Sequence, residues 1–263
     1  MKRYFKTLYT FWSSSVSAEM EYRANFALAA VSSAASLGGA LFALWALLRT
    51  EYTMNGWSFD QALIVVGIYT MLDGLQQTLL APNRQQISEF VRNGTLDFVL
   101  LKPIDSQFWI SARKVSIWGV PNVLLGMGLI IFVGSFRLEP AVPPTNYLLM
   151  LAPLAAGITI YYALGYLLST LTIWFTKISN VTHAMHALLE AGRYPIAAYP
   201  GAYRVFFTFV LPVAFMTTVP ADVLLGRGEF TWVLGGLAIA GVLLIAARLF
   251  WRYALRFYTS ASS

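Results

Sequence analysis

The chain has 263 residues and a net charge of +6, and it is 58% hydrophobic but only 11% charged. Soluble domains carry about 25% charged residues, so too few are present here to cover a soluble fold of this length, and lipid is the solvent that such a composition suits. With no cysteine, disulfides, thiol catalysis and thiolate metal sites are excluded, and no basic run resembles a nucleic-acid patch.

Taken in chain order, residues 2–22 carry Lys2, Arg3 and Lys6, with Tyr4, Leu8, Phe11 and Trp12 on one helical face. This pattern reads as a helix lying in the membrane interface. Residues 24–48 hold no charge and are too long for a signal h-region, so they read as a retained first span. Residues 61–80 form the second span, whose one acid, Asp73, shares a short polar face with Thr70 and Gln77. An ionisable residue at membrane depth is a functional candidate, and an interhelical hydrogen bond is its simpler role.

Residues 82–114 form the largest loop. Ile87, Phe90 and Val91 make an apolar stripe between charged positions, and Asn93-Gly94 is a helix stop. A short amphipathic helix held between two spans can transmit force from a cytoplasmic partner. The third span is 115–136 and the fourth is 147–175, both uncharged. Gly38 and Gly39 in the first span, and Gly119, Gly126 and Gly128 in the third, read as packing residues. The last span is 229–250. Between the fourth and the last, two stretches compete for the fifth. Residues 178–198 are more polar, and 205–220 are apolar but broken by Pro212.

Lys and Arg placement orients the chain. With the N-terminus inside, thirteen basic residues fall inside and five outside, namely Arg49, Arg137, Arg193, Arg204 and Arg227. That split favours both termini in the cytoplasm and an even number of spans, six. Trp45, Trp57 and Trp232 fall near the outer ends and Trp109, Trp118, Trp174 and Trp251 near the inner ends, as indole rings prefer.

Three stretches together resemble one bacterial permease family. They are Glu21-Tyr-Arg-Ala-Asn-Phe26 entering the first span, the run from Ile87 to Pro103, and Tyr199-Pro-Gly-Ala-Tyr-Arg204 followed by Leu211-Pro-Val-Ala-Phe215 and Pro220 to Gly226. The chain is similar over nearly its whole length to the type-2 ABC exporter permeases, in their branch of six-span subunits.

The resemblance implies an all-α polytopic membrane protein, a single membrane domain over residues 1–263. It would hold an N-terminal interfacial helix, six spans, a cytoplasmic coupling helix between spans two and three, and outer re-entrant helices over 203–226. It makes 178–198 the fifth span. It also implies two permease subunits, the second a related chain or another copy, above two separate ATPase subunits that hold the ATP and Mg. The site would be the bacterial cytoplasmic membrane, and the substrate lipid-like, drug-like or otherwise amphipathic. The coupling role falls on Arg84, Ile87, Glu89, Phe90, Arg92, Gly94 and Asp97. His183, His186, Glu190 and Arg193 lie three, four and three residues apart, one polar stripe of span five. With Asp73 they are the candidates for the transport cavity or the subunit interface.

The chain itself is expected to hold no nucleotide, because none of its five lysines lies in a Gly-x-x-x-x-Gly-Lys-Ser/Thr loop. No metal site is assigned, since His183 and His186 at i and i+3 leave a closed site short of ligands. An intramembrane lipid-modifying enzyme is the alternative, and it would need clustered nucleophiles and bases at one depth. A channel is the other, and it would need a filter-like loop or a ring-forming charge pattern.

Overall fold

The computed structural model describes residues 2–21, 23–48, 54–175 and 181–258, and among them every regular element is helical. The first helix, α1 (Lys2–Glu19), lies against the end of the bundle. Phe11 meets Trp109 edge-on with ring centroids 6.1 Å apart, and the Trp12 indole N–H donates to the Ala112 carbonyl at 3.1 Å. Glu19 accepts from the Ile117 N–H at 2.6 Å. Of the apolar face expected on this helix, the side chains of Tyr4 and Phe5 lie outside the described residues.

Four helices are long and apolar enough to cross a membrane. They are α2 (Arg23–Leu48), the continuous rod over Phe59–Arg92, α8 (Pro144–Thr170) with a 3-10 turn to Ile173, and α12 (Phe230–Ala254). The rod begins at α3 (Phe59–Leu75), where Ser58 and Gln61 close a capping box. It passes through one π turn, Gln76–Leu80, into α4 (Ala81–Arg92). After it come α5 (Asp97–Leu100), α6 (Ser106–Ala112) and α7 (Val120–Phe136), an apolar helix of 17 residues. The segment after α8 holds α9 (Val181–Glu190), a 3-10 turn over Ile196–Ala198, α10 (Gly201–Val205) with a π turn to Val210, and α11 (Thr218–Leu224).

The core is built on α3 against α7. Gly67 and Gly74 on one helix face Gly126 and Gly119 on the other. A Cβ added to Gly74 would stand 2.5 Å from the Val123 nitrogen, and one added to Gly126 would stand 2.6 Å from the Gly67 carbonyl oxygen. The two backbones touch, which only glycine permits. Gly119 and Gly126 therefore pack as expected, while Gly38, Gly39 and Gly128 have no neighbour within 4 Å of the position a Cβ would take. Gly67 and Gly74 complete the contact. On the far side, α8 packs on α12 and α11, with Gly157 set against the backbone of Phe215 and Met216.

Two expected boundaries move. The loop expected from residue 82 is helix as far as Arg92. Pro82 lacks an N–H and would clash with the carbonyl four residues back in a regular helix. The wider π turn just before it, closed by the Ala81 N–H on the Gln76 carbonyl, lets the helix continue. The stop comes at Asn93-Gly94, where Gly94 is left-handed with φ +64. There the Gly94 and Thr95 N–H groups donate back to Val91 and Phe90.

The second shift concerns 178–198, which is helical only over Val181–Glu190 among the described residues. Residues 178–180 lie outside them. Pro195 disfavours helix at Tyr194, and the chain goes on through turns to Ala197, whose carbonyl accepts from Asn55 at 2.6 Å. The apolar stretch after it bends by 72° between Gly201–Val210 and Val213–Leu224, at the break that Pro212 imposes.

Candidate functional site

Polar side chains gather where α3, α7 and α9 meet. Asp73, 8% exposed, lies next to Gly74 on α3. Its carboxylate accepts from Gln77 at 2.7 Å and Asn122 at 2.8 Å, and more loosely from Gln76 at 3.4 Å. These amides replace the water that the acid loses on burial. His186 approaches from α9, with Nε2 3.8 Å from Asp73 Oδ1 and Nδ1 3.9 Å from Glu190 Oε1. Both separations exceed a hydrogen bond, so the imidazole stands between two carboxylates as a through-space partner. Glu190 accepts from the Tyr69 hydroxyl at 2.7 Å and from Arg193, whose guanidinium also donates to Tyr69 at 3.0 Å and lies over its ring.

The network continues towards α4. Gln76 gives its N–H to Asp73 and accepts from Arg84 at 3.0 Å and from the Tyr161 hydroxyl at 3.3 Å. Arg84 is only 5% exposed, and its Nε and Nη1 have no hydrogen-bond partner. One amide thus joins a buried acid and a buried base eleven residues apart on the same rod.

Of the stripe read from the sequence, His186, Glu190 and Arg193 come together with Asp73. His183 points away, is exposed, and bonds to no described residue. Thr70 turns its hydroxyl to the Val66 carbonyl and stays outside the network. Tyr69, Gln76 and Asn122 are members that the sequence reading missed. The signal for Gln76 was its i+3 spacing from Asp73, but nothing local marks Asn122, which arrives from another helix.

The seven residues expected to couple to a partner divide. Arg84 and Ile87 are buried, Phe90, Gly94 and Asp97 are half-buried, and Glu89 and Arg92 are exposed. Beyond the Gly94 stop, α5 buries Leu96 and Val99 but leaves Phe98 69% and Leu101 81% exposed. This apolar knob is held from below by α6, whose N-cap Asp105 accepts from the Phe108 N–H at 2.9 Å and pairs with Arg248 of α12. Arg248 beside it holds the Asp105 carboxyl below the usual carboxylate range.

The opposite end is tied by its own polar contacts. Arg137 pairs with Asp60 at 3.1 Å, and Asn146 donates to the Leu224 carbonyl at 3.0 Å. Arg227 pairs with Asp222, donates to Gln61 and lies 3.8 Å from the centre of the Trp57 ring. A bundle with an acid–base thread through its middle, a capped rod at one end and a bent helix pair at the other suits a moving membrane subunit. The family model for ABC-2 family transporter proteins matches residues 34–262. The chain belongs to the ABC-2 transporter family. Compared with curated proteins and with solved structures, it matches none.

As an ABC-2 permease it is a multi-pass membrane protein and the transport subunit of an ABC transporter. ABC-2 permeases work with an ATPase partner and are not themselves catalytic.

Proposed function

We propose that this chain is a six-span subunit of an ATP-driven exporter of an amphipathic substrate, working by alternating access. It pairs with a second permease, a related chain or another copy, and is driven by two ATPase subunits that hold the ATP and Mg. The observation that carries the permease reading is the family match over residues 34–262. Export and the substrate class follow the family resemblance of the three motifs.

Helical geometry supports the six-span count with a broken fifth crossing. Thr182 borders the same cavity as Gln85, while Ala197 meets Asn55 near the other end, so residues 181–197 run between the two ends. The bent pair Gly201–Val210 and Val213–Leu224 is then the outer re-entrant element. Helix α1 would lie in the interface. The inner side is the bacterial cytoplasm, with both termini there, because Lys102, Arg113 and Lys114 flank α6 and Arg252 and Arg256 lie at the end of α12, two segments that the Arg248–Asp105 pair joins.

Exposure revises the coupling surface. Buried Arg84 and Ile87 transmit, and contact with the ATPase falls on Glu89, Arg92, Phe98 and Leu101. An exposed aromatic anchored by a buried base is the form of an interface hot spot. Purification with the co-encoded ATPase tests this. The paired change Phe98→Ser with Leu101→Ser is expected to lower ATPase capture by about tenfold or more, while the variant stays monodisperse with an unchanged thermal midpoint. Undiminished capture would move docking elsewhere, and no ATPase with the unmodified chain would return weight to the enzyme or channel alternatives.

A further inference from the structure

On α8, Gly157, Tyr161 and Gly165 follow one another at four-residue spacing, share a face of the helix and are all buried. The inner part of that face carries Arg84. Its guanidinium carbon lies 5.2 Å from the centre of the Tyr161 ring, and its Nη2 donates to Gln76 at 3.0 Å. Gly165 makes the room for it. A Cβ there would stand 2.8 Å from Arg84 Cδ, 3.2 Å from Nη1 and 3.4 Å from Nε. Those two nitrogens are the ones without a hydrogen-bond partner, so shape, not a hydrogen bond, seats the arginine at Gly165. A desolvated charge with idle donors is unfavourable, and packing against α8 is what holds it. The outer part of the same face meets the bent pair. A Cβ on Gly157 would stand 2.8 Å from Met216 Cα and 2.9 Å from the Phe215 carbonyl oxygen, just past the bend. Two glycine seats, eight residues and about 12 Å apart on one helix, thus join the rod to the bent pair.

We propose that Gly165 is a positioning residue for coupling. It seats Arg84 on α8, and through that seat a movement of the rod is handed along α8 to the bent pair. The inference rests on the coupling reading above and adds the path by which a stroke leaves the rod. Tyr161 belongs to the seat, since its hydroxyl also donates to Gln76 at 3.3 Å. Spatial continuity alone does not establish coupling, so the test reads movement at the far end of the path.

The chain has no cysteine, so two introduced cysteines carry spin labels without background. Tyr203→Cys on α10 and Phe136→Cys at the end of α7 replace side chains that are 60% and 77% exposed. The full chain is captured with its co-encoded ATPase in nanodiscs, and the label distance is read with and without ATP, Mg and vanadate. The labelled parent is expected to shift its distance on trapping. Gly165→Ala meets a flexible side chain and no backbone. It is expected to fold, to capture the ATPase as the parent does, and to lose about half of the shift or more. Arg84→Met empties the seat from the other side and decides the matter if Gly165→Ala does not fold. It is expected to lose the shift as well, while its thermal midpoint holds or rises, because a buried charge with idle donors has gone. Gly128→Ala has no neighbour within 4 Å and is expected to keep the whole shift. A full shift in either folded variant, a lowered midpoint in Arg84→Met, or no shift in a parent that captures the ATPase would overturn the assignment and leave the permease reading standing. No ATPase with the unmodified chain would remove that reading and the assignment with it.

Discussion

Helices α2 and α3 are alike in composition and opposite in surroundings. In the most apolar stretch of α2 the mean hydropathy is 1.8 and 17% of the residues are buried, whereas in that of the rod over Phe59–Arg92 the mean hydropathy is 1.4 and 72% are buried. The less hydrophobic helix is the one at the centre. Hydropathy reports which solvent a helix tolerates, and close packing is decided by which faces lack side chains. Gly67 and Gly74 are seven residues apart, and so are Gly119 and Gly126, which puts each pair on one helical face two turns apart. The glycines of α2, Gly38 and Gly39, have no such counterpart in the chain. Phe42 and Trp45 of α2 face outward, to lipid or to another subunit.

The sharpest way to break this comparison is to put the same side chain on both helices. Gly119→Val would drive its Cβ into the Gly74 carbonyl and to within 2.9 Å of the Gln77 Cβ. The expected cost is about 3 kcal/mol, enough to remove the monodisperse peak on size exclusion. Gly39→Val meets nothing within the chain and is expected to keep the peak and the thermal midpoint. A folded Gly119→Val protein would mean that α3 and α7 do not pack as described.

A smaller effect is expected from Asn122→Leu, which leaves Asp73 without its one amide donor from α7. The expected loss is about 1–3 kcal/mol, read as a lower thermal midpoint in detergent. No loss would show that the carboxylate finds its solvation elsewhere.

The smallest effect belongs to the half-buried pair that ties α6 to α12. Asp105→Asn keeps a cap acceptor for the Phe108 N–H and removes the charge facing Arg248. The expected change is under about 1 kcal/mol. Because Arg248 lowers the Asp105 pKa in the folded state, the contribution is complete above the ordinary carboxylate range. It is lost as pH falls through the lowered value, so the variant and the parent should converge in midpoint in strong acid. Divergence that grows towards low pH would contradict that sign.

Much of the scaffold was legible. Apolar runs marked the four long helices, Asn93-Gly94 marked the end of the rod, and Pro212 marked the bend. Those are local signals, read from backbone preferences and hydropathy. The parts that escaped depend on pairs of segments. The helix running on through Pro82 was not legible, because the π turn that accommodates it has no sequence signature. The family resemblance makes residues 178–198 one span, whereas α9 ends at Glu190, ahead of Pro195. The Asp73 network was half visible, since the stripe on α9 repeats at helical spacing, whereas Asn122 and Tyr69 join it only through packing. Of the expected docking residues, Arg84 showed its charge in the sequence and hid its burial.

The rod over Phe59–Arg92 has one further consequence. At 1.5 Å per residue its 34 residues span about 50 Å, against about 30 Å of hydrocarbon. On the proposed coupling, a thrust applied near Arg92 would reach Asp73 along one continuous helix that packs on α7 through the glycine contact. The one departure from regular α-helix along that path is the π turn, so on the proposed coupling any give in the rod would fall on five residues, Gln76–Leu80.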